Sequence, residues 1–169
     1  MSADVTDLVT RLEVVLDAEE AVYRRLRALL QREEKELVEL DPTVLERTTA
    51  EKQALAAEAK LHEESRLGLT VRLGALIGSE AARPKISELV ERLGSKAGQL
   101  PVLHARLHAL VEVTQGLLVA NERFAARSLS RVQDTLKLLG QSSEETSGYG
   151  PGAAGAERTG RGRLVRAAI

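Results

Sequence analysis

The sequence predicts an all-α protein, an elongated antiparallel hairpin or bundle of three to four coiled-coil-like helices with a disordered C-terminal tail. Three observations predict it. Leu, Val and Ala recur in steps of three and four along residues 3–139, the spacing that gathers apolar side chains on one helix face. Aromatic residues make up only 2% of the chain and charged residues 29%, a composition that suits long helices sharing a leucine core and leaves strand signals nearly absent. The prolines stand at 42, 84, 101 and 151, at the edges of the periodic stretches, because a proline ring suits the first turn of a helix and breaks its interior.

The first helix is expected over about residues 3–40. Val5, Leu8, Leu12, Val15, Val22, Leu26 and Leu29 mark its apolar face, with Glu19 in the skipped place. Asp41-Pro42 reads as an N-cap followed by proline at the first helical position, so the turn is tight and a second helix, about 42–77, folds back antiparallel. Its apolar positions are Leu45, Leu55, Ala59, Leu61, Leu69, Leu73, Leu76 and Ile77, while Gly68, Gly74 and Gly78 each weaken it by up to about 1 kcal/mol relative to alanine. A short third helix is expected over about 80–93, with Ile86, Leu89, Val90 and Leu93 on one side, ended by Gly94 and a loop containing Gly98. The fourth, about 100–139, has the strongest pattern. Leu100, Leu103, Leu107, Leu110, Thr114, Leu117, Asn121, Phe124 and Ser128 alternate steps of three and four, and Val132, Leu136 and Leu139 carry the seam on with a slight shift of face. Residues 1–139 therefore read as one helical bundle, and 140–169, rich in Gly, Ser, Ala and Glu without a period, as a flexible tail.

A net charge of −1 and a pI near 6.3 offer no general attraction to nucleic acid or anionic lipid. No apolar run approaches the length of a membrane span, and the N-terminus lacks a positive stretch followed by an apolar one, so a cytoplasmic protein without membrane insertion is expected. The absence of cysteine excludes disulfides, thiol catalysis and cysteine-ligated zinc. His104, His108 and Glu112 are spaced by four, and two imidazoles so spaced can chelate a divalent ion. No second histidine-rich segment supplies further ligands, so no metal and no other cofactor is expected. No serine stands in a Gly-x-Ser-x-Gly elbow and no Gly-x-x-x-x-Gly-Lys loop is present, so enzymatic activity is not expected either. The run Arg32-Glu33-Glu34-Lys35-Glu36 reads as a solvated helix face held by pairs four residues apart. Arg158, Arg161, Arg163 and Arg166 near the chain end have no aromatics between them, so nucleic acid is not an expected partner. Asn121, the only asparagine, reads equally well as a polar residue that sets helix register and as a contact to a bound helix.

Several segments taken in order carry a resemblance. They are Leu12-Glu13 through Glu19-Glu20 to Tyr23 and Leu26, then Leu37 to Asp41; Leu45 and Glu51-Lys52-x-x-Leu55; and finally Asn121, Ser128-Leu129, Val132 and Leu136-x-x-Leu139, followed by a tail with Tyr149-Gly150-Pro151. This order of two long arms, a late seam with an asparagine and a Tyr-Gly tail resembles the FlgN-type flagellar type III export chaperone family over nearly the whole chain. Ala120, Ala125 and Ala126 stand where family members often carry asparagine or long polar side chains, and the tail here is unusually rich in Gly and Arg. The resemblance implies a cytoplasmic chaperone that binds the C-terminal helical segments of the flagellar hook-filament junction proteins, prevents their premature assembly and delivers them to the cytoplasmic domain of the export gate. On that reading the cargo contacts are Asn121, Phe124, Leu129, Val132, Leu136 and Leu139, where an incompletely covered late helix can accept an amphipathic helix. Tyr149 and Gly150 are then the gate-docking residues, a lone aromatic on a mobile arm being able to bury much area. The alternative is a structural coiled-coil protein that self-associates through the same seams and has no client.

Overall fold

A computed structural model of the chain describes residues 2–145, with side chains placed over 3–139. It contains α1 (Ser2–Glu39), α2 (Pro42–Leu76), α3 (Ile86–Leu93), a 3-10 turn over Gly94–Ala97, and α4 (Leu100–Glu145). No strand occurs among the described residues, as the near absence of aromatic and β-branched runs led one to expect. The described residues form two units, one ending at Ser128 and holding the bundle, the other starting at Leu129 within α4.

The hairpin turn follows from Asp41. Its carboxylate accepts hydrogen bonds from the backbone of Thr43 at 2.9 Å and Val44 at 3.3 Å, which satisfies the free N–H groups of the first turn of α2 while Pro42 supplies a preset φ. Leu40 takes a left-handed φ of 54°, a conformation glycine would adopt more easily, so the tightness of the turn is held against a local cost of roughly 1–2 kcal/mol.

Ion pairs give the direction of each helix. Glu19 meets Arg66, Arg25 meets Glu58 and Arg32 meets Glu51, so residue numbers rise on α1 as they fall on α2 and the two are antiparallel. α4 runs the other way relative to α2, because Glu13 meets Gln99, Glu20 meets Arg106 and Glu33 meets Asn121. Hence α4 is parallel to α1. The antiparallel α2 already returns the chain to the starting end of α1, where Leu73 meets Leu8 and Leu12, and α3 lies in the connection between α2 and α4.

That connection differs from expectation. The third helix begins at Ile86 rather than near residue 80, because a proline at 84 disfavours helical backbone in the residue before it. Instead, the ring of Pro84 is buried against Gly74 of α2, where an added Cβ would stand 2.6 Å from the proline Cγ. Gly74 is therefore a site of close approach, and only Gly68 is a glycine with open space around it in the middle of α2. α4 also outruns expectation. It continues through Gly140 to Glu145, since an isolated glycine costs a helix only about 1 kcal/mol and does not by itself end it.

The core lies at the α3 end. Leu8, Leu12 and Leu16 of α1 meet Leu73 of α2, Ile86, Leu89 and Leu93 of α3, and Leu100, Leu103 and Leu107 of α4. Each fully buried leucine there contributes roughly 1.5–3 kcal/mol. A second cluster, Val22 and Leu29 with Leu55, joins α1 to α2 alone. Between the two clusters α1 carries Glu19 and Glu20, both buried.

Candidate functional site

The seam of α4 changes character along its length. Leu100, Leu103, Leu107, Thr114 and Asn121 are buried in turn, Ala125 and Ser128 are half-buried, and from Leu129 to Leu139 every residue is exposed. Register accounts for the change within the bundle. Parallel pairing places the end of α1 at Glu39 opposite the stretch around Arg127, where α1 has no further residues to cover α4.

Asn121 is the last buried residue of that seam. Its amide donates to the carbonyl of Leu30 at 2.8 Å and to Glu33 Oε2 at 3.0 Å, and its exposure is 4%. These bonds to α1 are the contacts a register-setting residue makes. The amide is committed to α1, so Asn121 does not share the exposure of the other expected cargo contacts. Those are Phe124 at 39% exposure, Leu129 at 60%, Val132 at 45%, Leu136 at 63% and Leu139 at 61%. Side chains of this size lose apolar area from water readily when a second helix covers them. Tyr149 and Gly150 lie outside the described residues.

The polar groups that hold α4 in place come from α1. Glu13 accepts from the backbone N–H of Gln99 at 2.6 Å, next to the first turn of α4, where a carboxylate is favoured by the free N–H groups and the helix dipole. Arg106 donates to Glu20 Oε1 at 2.7 Å and Arg24 reaches the same oxygen, while Glu20 Oε2 is buried without a hydrogen-bond partner. Lys52 of α2 donates to Glu33 Oε1 at 2.6 Å, so Glu33 binds α2 with one oxygen and α4 with the other. Arg66 straddles both oxygens of Glu19 at 3.0 Å each. Burial nevertheless raises the Glu19 pKa above the ordinary carboxylate value, outweighing the pull of Arg66.

Glu33 corrects the reading of residues 32–36 as a solvated run. Arg32 does pair with Glu36 four residues on, at 3.0 Å, but it also reaches Glu51 of α2, and Glu33 is 6% exposed. The missed signal was present in the spacing, since Glu33 stands between Leu30 and Leu37 at seam intervals of three and four. A charged residue at a seam position marks a buried pair rather than a solvated face.

The His104 and His108 rings stand 6.3 Å apart, and His108 Nδ1 lies 3.8 Å from Glu112. Burial, then His108 and Arg66, lower the His104 pKa. Among the described residues no group of three or more His, Cys, Asp or Glu side chains could hold a metal ion, and no helix is long and apolar enough to cross a membrane.

The family model described as FlgN protein matches residues 1–157 of the chain. No curated protein and no solved structure gives a match.

Proposed function

The chain belongs to the FlgN family of flagellar export chaperones, and from that premise we propose that it holds the C-terminal helical segments of the hook-filament junction proteins along α4 until they are exported. The observation that carries this reading is the exposed run Leu129, Val132, Leu136 and Leu139, an apolar helix face at heptad spacing. Phe124, in the unit that ends at Ser128, is a further cargo contact of this reading, and the four side chains of the run offer a gross gain of roughly 6–12 kcal/mol when a cargo helix covers them. Ordering the cargo segment costs about 2–5 kcal/mol of this, and the loss of free tumbling takes more, which leaves a complex that can release its client. Release is what delivery requires.

The cytoplasmic domain of the export gate is the second partner in this reading, with Tyr149 and Gly150 as the docking residues. They fall inside the stretch matched by the family, which extends to residue 157. Cargo holding and gate docking are thereby given to different parts of the chain, and the cytoplasm is the compartment in which both occur.

Calorimetric titration of junction-protein C-terminal segments against the wild type and Leu136→Asp tests the proposal. Leu136 is 63% exposed, so the aspartate should leave the helix content unchanged while cargo affinity falls at least about tenfold. Equal affinities would place the groove elsewhere, with the α1–α2 hairpin the next candidate. The same exposed face also suits self-association. A stable oligomer in light scattering that ignores the cargo segments would favour a structural protein without a client.

A further inference from the structure

The exposed stripe of α4 has uncharged neighbours. At about 100° per residue, Leu129, Val132, Leu136 and Leu139 share one side of the helix, all within the unit that starts at Leu129. Gln133 borders the middle of that side at about 80° in one direction and Thr135 at about 80° in the other. The charges between Leu129 and Leu139 stand farther round. Arg131 and Lys137 lie about 120° away and Asp134 about 180°, where Asp134 pairs with Lys137 at 3.7 Å. Gln133 and Thr135 are both exposed, and the Thr135 hydroxyl donates to the Arg131 carbonyl of its own helix at 2.9 Å. Where the chain pairs its own helices, it uses charge. Arg25 with Glu58, Arg32 with Glu51 and Arg66 with Glu19 join α1 to α2, and Arg106 with Glu20 joins α4 to α1.

Resting on the cargo reading above, we infer that the helix received by this stripe carries uncharged polar side chains, amides and hydroxyls, along both edges of its apolar face. Apolar spacing, rather than charge, then selects it. When two helices pack by heptads, the side chains beside the seam of one face those beside the seam of the other. A carboxylate or an ammonium placed there loses water and gains no opposite charge from Gln133 or Thr135. An amide or a hydroxyl loses less, and the Gln133 amide can both donate to it and accept from it. Helices with rows of charge along the seam, of either sign, are thereby disfavoured. No charge at the edge of the stripe steers the encounter, so the association is a slow-salt-response one, governed by apolar burial.

The test is calorimetry of the full chain with three synthetic peptides of identical leucine spacing, cross-linked to equal helix content. The positions beside the apolar face are Gln and Ser in the first, Glu in the second and Lys in the third. The Gln/Ser peptide should bind roughly two- to thirtyfold more tightly than either charged one, as suits charges at a partly solvated rim. The Glu and Lys peptides should agree within about threefold, and raising NaCl from about 0.02 to 0.3 M should change no affinity by more than about twofold. The variant Gln133→Glu/Thr135→Glu, at two exposed helix positions, should make the Lys peptide the tightest binder and its binding salt-dependent. Equal binding of the three peptides, tighter binding of either charged one to the wild type, or an unaltered order in the variant overturns the inference and leaves the Leu136→Asp test of cargo holding intact. A dimer of the chain that no peptide dissociates overturns it in favour of a second copy on the stripe. Binding of no peptide overturns the inference alone if junction-protein segments still bind, and together with the cargo reading if they do not.

Discussion

Replacing Asn121 by alanine removes the two hydrogen bonds that tie α4 to the middle of α1, one to the Leu30 carbonyl at 2.8 Å and one to Glu33 Oε2 at 3.0 Å. The Leu30 carbonyl keeps its own helical partner, so its loss is that of one neutral bond, about 1 kcal/mol. Glu33 keeps Lys52 on its other oxygen but loses a charge-assisted bond at a site 6% exposed, worth about 1.5–3 kcal/mol. The sum, roughly 2.5–4 kcal/mol, is a large share of the 5–15 kcal/mol that ordinarily separates folded from unfolded. In a thermal melt it corresponds to a drop of about 5–15 °C. Asn121→Asp should cost more than alanine at neutral pH, because it sets a second carboxylate against Glu33 in a buried place. Burial and Glu33 both raise the folded-state pKa of the new carboxylate, so its penalty is full above that value and is relieved as pH falls through it. Urea unfolding followed by far-UV circular dichroism measures both, with the slope unchanged and the midpoint lowered. A loss below about 1 kcal/mol for alanine, or an aspartate no worse than alanine at neutral pH, would refute the buried-tie argument. Unchanged stability together with weakened cargo binding would instead return Asn121 to the cargo contacts.

Gly74→Ala and Gly68→Ala should shift stability in opposite directions. The first drives a Cβ to within 2.6 Å of Pro84 and should lose roughly 1–2 kcal/mol even after the gain in helix propensity, whereas the second meets nothing within 4 Å and should gain about 0.5–1 kcal/mol; equal signs in urea midpoints would refute the close-packing argument. His104 has a lowered pKa, so the unfolded chain holds its proton more tightly and stability falls as pH drops below 6.5 toward the folded value. His104→Gln should remove that part of the slope in melting temperature, and an unaltered slope would show that another group titrates there. Glu19 has a raised pKa, so its ionisation disfavours the folded state and stability falls as pH rises from 4.5 through the folded value; Glu19→Gln should flatten that window. Deleting residues 146–169 should leave helix content and cargo affinity unchanged while export of the junction proteins in cells stops, and continued export would remove Tyr149 from the gate-docking role.

Spacing and punctuation made most of the fold legible. The three-and-four steps of Leu8, Leu12, Leu73, Leu100 and Leu103 are visible without coordinates, and these leucines do form the core. Asp41-Pro42 announced the turn for the same local reason, since a capping carboxylate and a proline ring act within one helical turn. The start of the third helix was less legible. The expected start near residue 80 placed Pro84 inside the helix, whereas the restriction it puts on the residue before it moves the start to Ile86, and its ring packs on Gly74. The end of α4 was missed because one glycine at 140 was given the weight of a stop. Of the candidate surface, the exposed leucines from 129 onward were chosen from the shift of the seam and the family resemblance. The buried state of Asn121 was open until its partners on α1 were seen.

By itself, then, the sequence determined that the chain is helical, where the long helices turn, which side chains favour burial, and the family to which it belongs. All of these depend on interactions within a turn or two, or on order along the chain. Only the tertiary structure decided that α4 lies parallel to α1, that Glu13, Glu20 and Glu33 face inward to hold it there, and where that cover ends. A heptad seam is symmetric with respect to direction and accepts a partner running either way. The choice is made where Glu20 finds Arg106 and Glu33 finds Asn121, which are pairings of residues 86 and 88 positions apart that no local pattern encodes.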